Sequence, residues 1–318
     1  MSDPALAHLL PDPLRRGISR QVVVAALPGL ETVFRELTQY PGRRWIFRGQ
    51  PDTKASFQPS IERLVLAEGT TKYSAERFVR REFKRRAHHY LTQLPDRRDE
   101  LAWLALMRHH GAPSRLLDWT LSPHVAAHFA ASAAAVGSAF TVWAVDQFEL
   151  TRLSRKEIIE KDPTLGEGLI DSGGEVRNWA RFVRVPSNFQ RLFLQQGDRP
   201  PIVVGPVEPF HASERMTVQQ GLFLCASSLS LPFDQSLAML LGREEGPRRL
   251  VRFEFMPHLR EPVLAELDRM NVTEASLFPG LDGFARSLGF SASLRGRAPG
   301  GLSEQLFGGD FGPFPFDE

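Results

Sequence analysis

The sequence contains one cysteine, Cys225, among 318 residues. A single thiol excludes an intramolecular disulfide framework and any zinc site built from several cysteines. Because Cys225 lies in an apolar run, we interpret it as a small buried side chain. The chain is therefore expected in a reducing compartment, and its stability must come from a hydrophobic core.

Strong net charge and long apolar runs are also missing. The formal net charge is +2, so no overall field indicates a nucleic-acid partner. The longest apolar stretch, residues 125–145, is interrupted by His128, Ser132 and Gly137, which predicts a helix followed by a strand. The first residues include Asp3 and several prolines, which argues against a signal peptide. We expect a cytoplasmic protein without a membrane partner.

The sequence does contain material for a large core, with 42% hydrophobic residues. Short runs of β-branched and aromatic residues predict strands at residues 44–50, 115–119, 139–145, 215–226 and 250–255. Amphipathic spacing predicts helices at residues 28–40, 74–91, 101–110, 123–133 and 262–270, and a short one ending at 288. The pattern predicts an α+β fold in which a mixed or antiparallel β core is flanked by helices.

Composition also suggests boundaries along the chain. Residues 1–29 form a proline- and arginine-rich N-terminal arm, and residues 30–290 form the main domain. Within it, residues 150–215 are an inserted elaboration or lid that we expect to carry substrate specificity. Residues 291–318 are rich in Gly, Pro and Phe and predict a flexible tail that can bind a protein partner.

The stretch at residues 109–131 organises the rest of the chain. Gly111 and Pro113 end a helix, and a short apolar run carrying Asp118 follows. A buried carboxylate must be paired or hydrogen-bonded, and Arg115 is the candidate partner. The next helix begins near Pro123 and has a face of small residues that permits close packing. This corner directs the residues around Asp118 toward one spot, although a purely structural ion pair or cap is an equal alternative.

Other polar groups have plain alternatives. The basic helix at residues 77–86 can follow a nucleic-acid backbone, but a solvated face is the commoner case. His124 and His128 lie four residues apart without the glutamate of a zinc motif, so we predict no metal site. His109 and His110 are candidates for a general acid or base, or for a simple helix end.

Several separated motifs together resemble the FRG domain family, over about residues 30–290. They are Phe47-Arg48-Gly49, the run from His109 to Thr120 with Pro123 and the continuation from Ala126 to Ala130, the run from Gln219 to Phe223, and the run from Leu277 to Gly283. The order of these motifs is also distantly similar to the ADP-ribosyltransferase fold. In that fold an arginine at the end of the first strand holds the dinucleotide, and a later strand carries the catalytic glutamate. Here Gln219 stands near the place of that glutamate.

The resemblance implies NAD as the substrate and assigns roles to particular residues. The cofactor site would consist of Arg48 on the pyrophosphate, with Gly49, Trp119 stacked on a ring, Thr120 bonded to a ribose or amide, and Arg115. The catalytic residues would be Asp118, Gln219 and His110. Because an amide cannot neutralise the charge that develops on the ribose, a carboxylate must be supplied by Asp118, Glu214, Glu254 or Glu274, and Asp118 is the first choice.

The resemblance thus implies an ADP-ribosyltransferase-like transferase or glycohydrolase that acts on NAD and on a protein or nucleic-acid acceptor. By analogy, such an enzyme would be a bacterial toxin or a phage-defence effector. The alternative is a non-catalytic FRG module that recognises nucleic acid or a protein. An enzyme predicts that Arg48, Asp118 and Gln219 converge with Trp119 and Thr120 on one open cleft, whereas a binding module predicts a filled core there.

Overall fold

A central β-sheet organises the computed structural model, which describes residues 19–25, 29–39, 44–170, 178–195, 200–243 and 249–295. Seven strands lie within these ranges: β1 Ser19–Val24, β2 Trp45–Gln50, β3 Leu117–Thr120, β4 Phe140–Asp146, β5 Val204–Val207, β6 Gly221–Ala226 and β7 Leu250–Phe255. They form one sheet in the order β1-β7-β4-β2-β3-β6-β5. Only β1 and β7 pair in parallel among these strands, and every other pair is antiparallel.

Helices cover both faces of this sheet. They are α1 Gly29–Thr38, α2 Lys72–Arg86, α3 Glu100–His109, α4 Pro123–Ala133, α5 Gln147–Lys161, α6 Pro163–Gly166, α7 Trp179–Arg184, α8 Pro186–Phe189, α9 Glu214–Val218, α10 Phe233–Leu241, α11 Arg260–Arg269, α12 Glu274–Leu277 and α13 Leu281–Arg295. Short 3₁₀ turns lie at Ala87–His89, Glu167–Leu169 and Pro257–Leu259, and a π-helical turn at Gln190–Leu194. The predicted mixed sheet flanked by helices is confirmed.

Alternating side chains divide the core into three clusters. On one face, α5 and α10 pack against residues such as Trp119, Trp143 and Leu224. On the other face, α1, α4 and α11 cover β2, β4 and β7, whereas α3, α7 and α8 cover β5 and β6. Neighbouring strand residues such as Leu222 and Phe223 belong to clusters on opposite faces, as the two-residue strand period requires. The two helix groups on the second face leave β3 between them.

The close packing of α4 depends on its small residues. Ala126 and Ala130 are fully buried where α4 crosses β2. A Cβ atom built on Gly49 would lie 1.9 Å from the carbonyl oxygen of Ala126. Only glycine fits at this position, so the predicted close approach of the helix is confirmed. Ser122 caps α4 by accepting a hydrogen bond from the amide of Val125, at 3.3 Å.

The structure differs from the sequence prediction at four places, three of them before the C-terminal segment. Residues 215–220, predicted as strand, contain α9 and a turn, because the Ser213 side chain accepts a hydrogen bond from the amide of Met216 and begins a helix. The predicted arm contributes β1 to the sheet edge, while its residues 1–18 lie outside the described ranges. Residues 150–215 contribute β5 and buried side chains to the core.

The end of the chain also differs. Helix α13 extends to Arg295, into the segment predicted as tail. The remaining residues of that predicted tail, 296–318, lie outside the described ranges. Within the described residues, the structure has no helix with the length and apolar character that a membrane span requires.

Candidate functional site

A cleft of about 1150 Å³ opens on the face where β3 lies between the two helix groups. Helix α3 contributes one side of the cleft and Phe129 of α4 contributes to the other. The lining includes side chains from β2, β3 and β6, and from the segments before α9 and after α12. Its volume lies slightly above the range of about 300–1,000 Å³ that is usual for small-molecule sites.

Asp118 of β3 lies inside this cleft and is paired with Arg108 of α3. The Arg108 Nε donates a hydrogen bond to Asp118 Oδ2 at 2.9 Å, and Arg108 Nη2 contacts the same oxygen. Burial alone would lower the pKa of the Arg108 guanidinium, but its hydrogen bonds to Asp118 raise this pKa above the usual value. Among the described residues, Asp118 Oδ1 accepts no hydrogen bond, and the side chain is 46% exposed. One carboxylate oxygen is therefore fixed while the other is available to a ligand.

Arg48 reaches the cleft from β2. Strands β2 and β3 share one bridge pair, Phe47 with Thr120, and diverge beyond it. Arg48 spans the resulting gap, since its Nη1 donates to the main-chain carbonyl of Asp118 at 2.5 Å. Burial lowers the pKa of Arg48 to about 10, so the group is still charged at neutral pH. Its buried Nε has no hydrogen-bond partner in the described part of the chain.

A third arginine, Arg215 of α9, also lines the cleft. Its guanidinium carbon lies 4.3 Å from the centre of the Phe278 ring, and that of Arg286 lies 5.0 Å from the same ring. Arg286 is additionally paired with Glu274 at 2.8 Å. By contrast, within the described ranges the guanidinium of Arg215 makes neither a hydrogen bond nor an ion pair. Ring stacking thus orients Arg215 while its N–H donors remain available.

These side chains give the inner end of the cleft a positive charge. The three guanidiniums of Arg48, Arg108 and Arg215 and the one carboxylate of Asp118 leave a formal excess of two positive charges. Asp99, which caps the other end of α3, lines the cleft about 14 Å from Arg108 along the helix axis. The positive region is therefore confined to one end, where it favours a doubly charged anion.

His109 and His110 lie at the C-terminal end of α3, as predicted, and both line the cleft. Their rings are 4.9 Å apart. Burial lowers the pKa of His109, and the neighbouring His110 and Arg215 add to this effect. A neutral His109 at physiological pH is thus favoured, which suits a proton acceptor as well as a hydrogen-bond donor.

Three predicted residues line the cleft but have structural roles in place of the predicted contacts with a ligand. The Trp119 ring is 3% exposed and packs against Phe57 at 5.7 Å between centroids, so it belongs to the core and is not open to a stacked ring. The Thr120 hydroxyl donates to the carbonyl of Gln219 at 2.7 Å and accepts from the amide of Ser122 at 3.0 Å. Both side chains therefore hold β3 in place. Gly49 also lines the cleft, but its lack of a side chain is needed beneath α4.

Gln219 lies in the turn after α9, just before β6. Its Nε2 donates to the carbonyl of Leu277 at 2.9 Å and so ties this turn to α12. The following residue, Gln220, has a φ of 47°, in the left-handed region that non-glycine residues rarely occupy. The Gln219 amide therefore serves to join two segments of the cleft wall.

Arg115 does not belong to the cleft, and the predicted pair with Asp118 is wrong. Its Nε and Nη2 donate to Glu76 of α2 at 2.7 and 2.6 Å, and Nη1 donates to main-chain carbonyls including that of Ala226. The side chain is 1% exposed. This arginine lies beneath Tyr73 and joins α2 to the end of β6, because within the described ranges its ion-pair partner is Glu76 of α2.

The other carboxylates considered from the sequence do not line the cleft. Glu254 of β7 pairs with Arg252 at 3.1 Å, and Glu274 pairs with Arg286. Glu214 lies in the first turn of α9. The cleft lining contains Asp96, Asp99 and Asp118 as its acidic residues, and Asp118 alone among them contacts the arginine cluster in the described structure.

The basic side chains of helix α2 share a small number of acidic partners. Glu82 lies within 3.2 Å of Arg81 and Arg85 and 3.0 Å of Arg86. Lys84 pairs with Glu100 of α3 at 2.8 Å. Three arginines thus share one carboxylate, so this face keeps an excess of positive charge, which a nucleic-acid backbone would favour.

Four residues that give the cleft its charge and its aromatic surface were assigned no role from the sequence: Arg108, Phe210, Arg215 and Phe278. Arg108 directly precedes the two histidines, and Phe278 lies in a motif already noted, so proximity to these motifs is the signal that could have identified them. Arg215 was placed in a strand, where its side chain had no predicted direction. Phe210 follows a proline-dense stretch that gave no clear pattern.

The fold and the cleft together define an α/β protein with a mixed seven-stranded sheet and an arginine-lined ligand cleft. Residues 43–138 match the family model described as FRG domain, so the chain contains an FRG domain. The match includes Arg48, Arg108 and Asp118, whereas Arg215 and Phe278 lie beyond it. Comparison with curated proteins and with solved structures gave no match.

Proposed function

We propose that this protein is an NAD-binding, ADP-ribosyltransferase-like enzyme whose cleft cleaves the nicotinamide–ribose bond. The observation that carries the proposal is the convergence of Arg48, Arg108 and Arg215 on the half-exposed carboxylate of Asp118 in one open cleft. A pyrophosphate carries two negative charges, which match the excess of two positive charges at this end. The convergence supports an enzyme over a binding module with a filled core.

The chemistry assigns different tasks to the cations and to the acid. Arg48 and Arg215 hold the pyrophosphate, because both charged side chains line the cleft and, among the described residues, the guanidinium of Arg215 has no hydrogen-bond partner of its own. Asp118 faces the nicotinamide ribose. The bond between ribose C1′ and the nicotinamide nitrogen breaks, and its electron pair neutralises the positive charge of the pyridinium ring.

The cation that develops at C1′ is stabilised by the negative charge of Asp118. Water or a nucleophilic atom of a protein or nucleic-acid acceptor then forms the new bond to C1′ and loses a proton. His109, neutral at physiological pH, is placed to accept that proton. Gln219 contributes through the wall that it ties together and not through charge.

The proposal is tested by binding and by turnover on the full chain. Thermal unfolding is measured with and without NAD, and released nicotinamide is quantified. A ligand present at about one hundred times its Kd adds about 2.7 kcal/mol to the free energy of unfolding. Arg48→Gln and Arg215→Gln should each remove most of this stabilisation, because each removes a phosphate contact.

A matched control separates the cleft from general charge effects. Arg81→Gln makes the same change of charge on α2, where the side chain is 65% exposed and does not line the cleft. This variant should respond to NAD like the wild type. Absence of both NAD stabilisation and nicotinamide release from the wild type, with and without protein or nucleic-acid acceptors, would reject the proposal.

A further inference from the structure

One aromatic side chain of the cleft lies mostly outside the core. Phe210 is 73% exposed, yet it lines the cleft. It follows β5 by three residues, in the loop that leads to α9. Its ring lies 4.8 Å from that of the adjacent His211, measured between centroids. Exposed phenylalanines also occur elsewhere on the surface, but Phe210 combines an exposed ring with a place in the lining of the cleft, where the ring can contact a ligand.

The sheet order fixes where Phe210 lies relative to the arginine cluster. Arg48 is on β2, and β3, β6 and β5 follow in that order. Strands β2 and β5 are three strand spacings apart, a distance of about 14 Å across the sheet. The loop that carries Phe210 therefore leaves the sheet on the far side of β3, which carries Asp118, from Arg48.

The part of α3 that lines the cleft has small or apolar side chains. Ala102, Ala105 and Leu106 all line it and recur at the spacing of one helix face. They leave room for a flat group, and the phenylalanine offers an exposed aromatic surface. A planar ring attached to phosphates is the ligand that uses both features of this cleft.

We propose that Phe210 is the residue on which the adenine ring of a bound nucleotide stacks. This inference rests on the proposed function. If Asp118 faces the nicotinamide ribose and the arginines hold the pyrophosphate, the adenosine half must extend away from them, toward Phe210. The aromatic surface then determines specificity for an adenine nucleotide, while the arginines supply contacts that any phosphate would satisfy.

The test compares ligands that contain different parts of NAD. Binding of NAD, ADP, nicotinamide mononucleotide and inorganic pyrophosphate to the full chain is measured by titration calorimetry. Phe210→Ala should weaken NAD and ADP by about tenfold or more, since stacking on an aromatic side chain is worth that factor per base. Pyrophosphate and nicotinamide mononucleotide should bind within about twofold of the wild type. Phe210→Trp, which keeps an aromatic surface, should retain affinity for NAD and ADP.

The control is Phe148→Ala, because Phe148 is 59% exposed on α5 and does not line the cleft. It should bind all four ligands like the wild type. Equal affinity of Phe210→Ala and wild type for ADP would overturn the inference while leaving NAD binding intact. The inference would also be overturned if Phe210→Ala lost affinity for nicotinamide mononucleotide alone. The same holds if it lost as much affinity for pyrophosphate as for ADP. If the wild type binds none of the four ligands, the proposed function fails and this inference fails with it.

Discussion

Arg108 holds the carboxylate of Asp118 by one of its two oxygens. The Nε of Arg108 lies 2.9 Å from Oδ2, and in the described structure Oδ1 accepts no hydrogen bond. The two residues belong to α3 and β3, and the chain turns between them at Gly111, whose φ of 78° is in the left-handed region that favours glycine. A carboxylate fixed on one side and open on the other is suited to act on a ligand in the cleft.

This arrangement predicts that Asp118→Asn separates catalysis from binding. The amide keeps the shape of the side chain but cannot neutralise a developing cation, so nicotinamide release should fall by about 10²–10³. The Kd for NAD should stay the same or decrease, because the substitution removes a negative charge beside three arginines. Steady-state kinetics and titration calorimetry on the same preparations measure the two effects.

Asp162→Asn is the matched control for this prediction. Asp162 pairs with Arg191 at 2.7 Å, away from the cleft lining, and an asparagine can also cap the helix that follows it. Its turnover and NAD affinity should equal those of the wild type. Weaker NAD binding with unchanged turnover in Asp118→Asn would contradict the assigned role.

Gly49→Ala should destabilise the fold. The added Cβ would lie 1.9 Å from the carbonyl oxygen of Ala126 and 2.8 Å from the amide nitrogen of Ala130, both of which are main-chain atoms that cannot rotate away. Helix α4 would have to move off β2, and overpacking of this kind costs about 1–3 kcal/mol or more. Urea unfolding of the purified variant measures the loss.

Gly221→Ala serves as the comparison, since its nearest neighbour to a new Cβ would be the Met216 carbonyl oxygen at 3.4 Å. That is an ordinary contact, and the change in unfolding free energy should stay below about 1 kcal/mol. If the two variants are equally stable, the close approach of α4 to β2 does not limit the fold.

The sequence predicted the parts of the fold that depend on local pattern. Strands β2, β4 and β7 follow from their apolar and β-branched runs, and α4 begins where Pro123 and the Ser122 cap indicate. The strand predicted at α9 was wrong, because the short apolar run there fits either a strand or one helical turn. A side-chain cap from Ser213 decides between them.

The candidate site was predictable only in part, for a physical reason. Motif order brought Arg48 and Asp118 together, but the partner of each charge depends on tertiary packing. Arg115 lies three residues from Asp118 in the sequence, yet it pairs with Glu76, 39 residues away. Strand alternation likewise points Trp119 into the core while Asp118 faces the cleft.

Glu76→Gln should cause a large loss of stability. Glu76 and Arg115 form a two-bond ion pair in which the side chains are 3% and 1% exposed. Removing the carboxylate charge leaves a buried guanidinium without compensation, which costs about 3–5 kcal/mol. Glu208→Gln, at a surface position where the side chain is 42% exposed and lies 3.8 Å from Arg184, should leave the urea midpoint nearly unchanged. Comparable losses in the two variants would contradict this assignment.

The Glu62 carboxyl should make the free energy of unfolding depend on pH. A single substitution at this position should remove that dependence. Its Oε2 accepts a hydrogen bond from the amide of Phe233 at the start of α10, at 3.2 Å. Burial raises the pKa of Glu62 from 4.5 to about 7, and the nearby Asp234 acts in the same direction. Between these two pH values the folded protein binds the proton and the unfolded chain does not. This contribution is therefore fully present below pH 4.5 and is lost as the pH rises through about 7.

Glu62→Gln keeps the hydrogen-bond acceptor and cannot ionise, so its stability should not include this loss. Measured by urea unfolding, the stability of the variant relative to the wild type should increase from pH 5 to pH 8. Glu68→Gln, at an exposed position of the same loop, should show no such increase. The wild type and Glu62→Gln are compared by their difference in unfolding free energy. If that difference is the same at both pH values, burial does not raise the pKa of the Glu62 carboxyl.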